Sequence, residues 1–156
     1  MDIRIRLLRV ACAVVLCLTP WTGPPRLFAE GIVGTVTTVL GKAYVTPSGK
    51  EVVLVKKGAE TRFLDTYETK AKSRLKILFE DDSVINLGEN SRIVITEDIY
   101  DPDQNRRSRV IDMASGSMRV LVGKGFLSKG SKFEVHTPTS MAAARGTYFT
   151  VWVSEG

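Results

Sequence analysis

Thiols are the first thing this chain is short of. Its two cysteines, Cys12 and Cys17, both lie near the N-terminus, and none follows them. Once the leader that holds them is removed, no disulfide, thiolate metal site or cysteine nucleophile is possible. Histidine is nearly missing too, His136 being alone. The longest apolar run, Val10 to Leu18, falls well short of the roughly 20 residues that a membrane-spanning helix needs. No window of eleven or more residues keeps a 3.6-residue apolar period, which argues against a long helix beyond the leader. A strong charge of one sign is also lacking. The net charge is +5, but residues 1–29 hold four arginines against Asp2, leaving 18 basic and 16 acidic side chains in the remainder. A balance of +2 gives no support for nucleic-acid binding, which calls for a clustered basic face.

The N-terminus has the layout of an export signal. Arg4, Arg6 and Arg9 precede the apolar run, Pro20 and Gly23-Pro24-Pro25 break it, and Ala29 is a small residue suited to cleavage. Residues 1–29 are therefore expected to be a signal peptide, and the processed chain an exported one without a membrane span, periplasmic or secreted. A lipoprotein is disfavoured, because Cys17 follows Val15-Leu16 and not a small residue.

From residue 31 on, short alternating runs are divided by turn residues, the pattern of an all-β domain. The runs include Gly31 to Val39, Lys42 to Thr46, Glu51 to Val55, Arg74 to Phe79, Val84 to Leu87, Arg92 to Thr96, Val110 to Met113 and Met118 to Val122. Leu75, Ile77 and Phe79 share one face, and Ile93 and Ile95 point inward. Glu80-Asp81-Asp82-Ser83 reads as a hairpin turn, with Asp82 at a φ > 0 position. Asp65 to Lys72 is polar enough to read as a loop or one helical turn. The expected architecture is a single domain over 31–153, built of short antiparallel strands as a β-sandwich, a roll or a small β-solenoid.

The C-terminal stretch Phe133 to Val153 reads as two strands closing the fold. Phe133, Val135 and Thr137 share a face opposite Glu134 and His136, until Pro138 ends the ladder. Thr147, Phe149, Val151 and Val153 alternate with Tyr148, Thr150 and Trp152. Met141 to Ala144 reads as a connector of small side chains leading to Arg145-Gly146-Thr147. Arg145 is expected to bond carbonyls or a carboxylate from inside the fold, a structural role preferred over ligand binding.

Thr137-Pro138, Arg145-Gly146-Thr147, Phe149 and Val151 resemble the closing motif of the FecR domain. Other steps of that family's pattern occur in order: Gly34-Thr35-Val36, Gly41 to Val45, Asp81-Asp82-Ser83, Leu87 to Ser91, and Gly116 with Met118-Arg119-Val120. Two departures replace family glycines in turns, Leu64 before Asp65 and Asp82 before Ser83. The resemblance implies an exported β domain of the kind found in periplasmic regulators of iron uptake. In those regulators it is joined through a membrane helix to a cytoplasmic segment that binds a sigma factor. Only nine residues precede the apolar run here, so the expectation is the sensing or scaffolding part alone.

Catalytic groups are scarce. His136, with Ser140 and Glu134 nearby in sequence, lacks a nucleophile elbow, so a surface role is expected for it. Glu80, Asp81 and Asp82 are expected to form a solvated turn, not an acid–base pair. Asp98, Asp101 and Asp103 have oxygen-ligand spacing and are weak metal candidates. The glycine and distal glutamate of a calcium loop are missing, and Arg106, Arg107 and Arg109 follow closely. A polar loop of neutralising charges is the plainer reading. The sequence thus favours a non-catalytic binding or sensing module of the cell envelope, with no cofactor and no nucleic acid. Its partner would be an envelope protein or a cell-surface polymer. The alternative is a small-ligand sensor using Arg145, Gly146 and Thr147, with His136 as a further binding candidate.

Overall fold

The computed structural model describes residues 31–154. The predicted signal peptide, residues 1–29, lies outside them. Twelve strands follow one another: β1 (Ile32–Leu40), β2 (Ala43–Thr46), β3 (Val53–Leu54), β4 (Glu60–Arg62), β5 (Thr66–Thr69), β6 (Arg74–Phe79), β7 (Val84–Leu87), β8 (Arg92–Asp101), β9 (Arg106–Leu121), β10 (Lys132–His136), β11 (Met141–Ala144) and β12 (Tyr148–Val153). The one helical element among the described residues is a 3₁₀ turn, Lys124–Phe126. The all-β expectation is met, in the form of a single curled sheet.

The order across the sheet is β3-β2-β5-β8-β9-β7-β6-β1-β4, with β10, β11 and β12 attached around β9. Strand β9 organises the whole. Its first half pairs with β8 on one side and β10 on the other. Its second half pairs with β7 and β12. The sheet therefore turns a corner along β9 and wraps its apolar face round one core.

The corner has a residue-level cause. Ile111 and Met113 point inward, and so do Met118 and Val120, which have the opposite parity. A regular strand cannot do this, since side chains alternate strictly. The change of phase occurs over Ala114-Ser115-Gly116, opposite an irregularity at Arg92/Ile93. Gly116 has φ +88°, and a Cβ there would come within 2.5 Å of the Ser91 Cα. Ser91 occupies the inside of the bend: the Ser117 N–H donates to its Oγ at 2.9 Å, and its own N–H donates to Thr69 Oγ1 at 3.0 Å.

The core is assembled from the expected alternations. Leu75, Ile77, Phe79, Ile85, Leu87, Ile93, Ile95, Phe133 and Val135 are all buried. Each contributes on the order of 1.5–3 kcal/mol by leaving water. Phe133 stands edge-on to Phe126 at 5.3 Å and to Phe149 at 6.4 Å, tying β10, the 3₁₀ turn and β12 together.

Four expectations are corrected. Residues 65–72 are a turn only at their end, 70–72: Thr66–Thr69 is strand β5, pairing with β2 and β8, and its Tyr67 and Thr69 are buried. Met141–Ala144 is not a connector but strand β11, which pairs with β10 as a hairpin. The C-terminal stretch is thus three strands instead of two. Finally, the strands are not all antiparallel, because β9 and β10 run parallel from Ser108↔Lys132 to Asp112↔His136. The segment between those two strands, with its 3₁₀ turn, supplies the crossover that a parallel pair requires.

Candidate functional site

Four groups of polar side chains bear on function, and they differ in whether they face the core or water. The first is buried. Arg109 continues the inward phase of Ile111 and Met113, and its side chain is only 1% exposed. Its Nη1 donates to Asp81 Oδ1 and its Nη2 to Asp98 Oδ2, each at 2.8 Å. The guanidinium lies over the Phe79 ring at 3.9 Å. Asp81 is held from the other side by the Ser83 hydroxyl at 2.6 Å, whose oxygen accepts the Gly123 N–H at 2.8 Å. A Cβ on Gly123 would fall 2.0 Å from the Asp81 carbonyl oxygen, so the close approach needs glycine. This cluster joins the β6–β7 hairpin to β8 and β9 and is structural. It corrects two expectations: Asp81 is not part of a solvated turn, and Arg109 is not part of a polar loop. Burial raises the Asp98 pKa above its usual value, with Arg109 pulling the other way.

The weak metal candidates do not converge. Asp98 is turned in to Arg109, whereas Asp101 Oδ1 accepts the N–H groups of Asp103 and Gln104 within the β8–β9 turn. Asp103 is exposed there. Among the described residues, no group of three or more His, Cys, Asp or Glu side chains is placed to hold a metal ion.

His136 lies half-exposed at the turn end of the β10–β11 hairpin. Its Nε2 is 3.1 Å from Glu134 Oε2 and its Nδ1 is 3.6 Å from Asp112 Oδ1. With Arg92 and Pro138 it borders a shallow hollow of about 280 Å³. The Ser140 backbone closes the hairpin turn on Thr137, its N–H donating to the Thr137 hydroxyl and its carbonyl accepting from it. Arg145, Gly146 and Thr147 sit beyond the other end of that hairpin, so His136 is not brought together with them. Arg145 is exposed and makes no hydrogen bond or ion pair with the described residues, contrary to the expectation of an inward-bonded side chain. Gly146 has φ +58°, and a Cβ there would press on Leu127 Cδ2 at 2.6 Å. The Thr147 carbonyl accepts the Val122 N–H at 3.0 Å. The bend is thus a structural device around Gly146.

The fourth group is the largest. The outward side chains of β1, β6, β7, β9 and β12 enclose a groove of about 560 Å³. Register places Thr38, Lys76, Asn86, Arg119 and Thr150 in one row across it. Ser117 and Trp152 stand opposite one another in the next row. Trp152 is 74% exposed and Tyr148 58%, both on β12. Arg119 lies 5.7 Å from the Tyr148 ring. No Asp or Glu lines the groove.

Residues 65–156, more than half of the chain, match the family model described as FecR protein. The chain belongs to the FecR family. No curated protein and no solved structure matches it. The FecR match begins at the foot of β5, so β1 to β4 lie outside it while completing the same sheet. Both departures from the FecR glycines fall at left-handed positions, Leu64 and Asp82 each having φ +64°. The family is one of signalling and sensing in the cell envelope, and no helix among the described residues is long and apolar enough to cross a membrane.

Sequence reasoning missed Arg109 and Asp81 although a signal existed. Arg109 shares the parity of Ile111 and Met113, and Asp81 that of Leu75, Ile77 and Phe79. It also missed the outer groove. The outward residues were assignable strand by strand, but their meeting depends on β9 lying between β7 and β12.

Proposed function

We propose that this FecR chain is a non-catalytic, exported binding module that senses or tethers a partner in the cell envelope. The observation that carries the reading is the family match over residues 65–156. The geometry agrees with it. Polar side chains line an outer groove that is open to a partner, whereas the most tightly coupled acid–base cluster is consumed in holding the sheet together. The leader expected from the sequence at residues 1–29 supports a periplasmic or secreted location.

The small-ligand reading at Arg145-Gly146-Thr147 has less support, because none of the three lines either hollow described above. Photo-cross-linking in the native cell tests the module. A photoreactive residue in place of Trp152 should give a discrete cross-linked species in the envelope fraction, and one in place of Lys57 should not. Retention of the chain in the cytoplasm, or equal cross-linking from both positions, contradicts the reading.

A further inference from the structure

Arg74, Lys76 and Arg119 project from β6 and β9 into the outer groove, and none has a carboxylate partner among the described residues. Other surface cations are a mixture: Arg62 is paired with Glu60, Arg92 and Lys70 with Glu68, and Lys132 with Glu97 and Glu134, whereas Lys57 and Arg145 have no such partner among the described residues; the groove differs in gathering three cations where no Asp or Glu lines the surface. The groove is therefore a local excess of positive charge on a nearly neutral domain. Three like charges on one sheet face repel each other, and an anion that bridges them relieves that repulsion. Lys76 and Arg119 are separated at the backbone by two strand spacings, about 10 Å, and Arg74 adds a third cation on β6. A ligand with repeated negative charges can meet all three.

The walls give the remaining chemistry. Trp152 keeps most of its surface in water on β12, an edge strand that pairs only with β9. With Tyr148 it offers flat apolar faces along one rim. Asn86 lies between Lys76 and Arg119, and Ser117 and Thr150 lie beside Arg119 and along the rim, an amide and two hydroxyls that donate and accept. Flat aromatic faces, hydroxyl-matching groups and spaced cations together suit a chain of sugar rings bearing carboxylates. We propose that the outer groove is a binding site for an acidic polysaccharide, with Lys76 and Arg119 taking successive carboxylates and Trp152 stacking on a sugar face. This deepens the module reading and rests on it for the envelope setting. A single-stranded nucleic acid shares the charge and stacking requirements, but its long backbone is favoured by a basic tract extending past the groove, which a balance of +2 over residues 30–156 does not provide.

Calorimetric titration of the full chain decides it, with polygalacturonate oligomers as probe and dextran, a thymidine oligonucleotide and polyglutamate as comparisons at low salt. Polygalacturonate should bind, more tightly than the thymidine oligonucleotide or polyglutamate, and dextran should not. The double variant Lys76→Gln/Arg119→Gln should lose roughly tenfold in affinity. Trp152→Ala should also lose roughly tenfold. Lys129→Gln, outside the groove, should bind as the native chain does, and unchanged melting temperatures show that the variants are folded. Tighter binding of the oligonucleotide or of polyglutamate overturns the assignment, as does native affinity in the groove variants. If polygalacturonate fails while cross-links from position 152 persist in the envelope fraction, the polysaccharide is wrong and the module stands. Loss of both removes the module as well.

Discussion

Arg109 is the residue on which the interior depends most. Its charge is buried with two carboxylates, and such a triad is stable only while every member is present. Arg109→Met keeps the volume but leaves Asp81 and Asp98 uncompensated, and should cost about 3–5 kcal/mol of unfolding free energy in urea. A loss under 1 kcal/mol would mean that the cluster is not a linchpin. Asp98 gives a pH dependence of known sign. Its pKa is raised in the folded state, so between the ordinary carboxylate range and that raised value the folded chain holds more protons than the unfolded one. Stability from this group therefore rises as pH falls through the window and is lower above it. The difference in unfolding free energy between the native chain and Asp98→Asn, measured against pH, should show this slope. A difference that runs the opposite way contradicts the assignment of burial as the dominant cause.

At the scale of elements, the β6–β7 hairpin shows how a turn and its residue can disagree. Asp82 sits at φ +64° in an exposed position, where glycine lies without strain. Asp82→Gly should stabilise the chain by up to about 1 kcal/mol, and Asp82→Ala should destabilise it by a comparable amount, both read as shifts in urea midpoint. Stabilisation by alanine would refute the backbone argument. This turn was legible in advance, because a short carboxylate between two alternating runs marks a left-handed position. Period-two alternation likewise made β6, β7, β10 and β12 and their buried faces legible. What was not legible depends on contacts distant in sequence. Tyr67 turns a polar stretch into β5 because its hydroxyl meets Thr61 at 3.0 Å inside the fold. The Met141–Ala144 segment becomes a strand only because β10 offers it an edge. The phase change at Gly116 could be suspected from opposite parities, but the joining of two runs into the single strand β9 requires both sheet halves.

For the whole molecule, the curl of the sheet separates two jobs. The concave side packs the apolar core round the Arg109 cluster, and the outer side leaves a charged, aromatic groove open to water. The groove draws on five strands, two of them at the chain's extremes, so unfolding anywhere in that half of the sheet should abolish it. The FecR family supplies the envelope setting, and the groove supplies the surface with which such a module would engage a ligand. Amide NMR of the labelled chain during titration with polygalacturonate oligomers tests this division most directly. Shifts should concentrate at Lys76, Asn86, Arg119, Thr150 and Trp152, with Arg109 and Asp81 unmoved. Shifts centred on His136 or on Arg145 to Thr147, with the outer row silent, would contradict it.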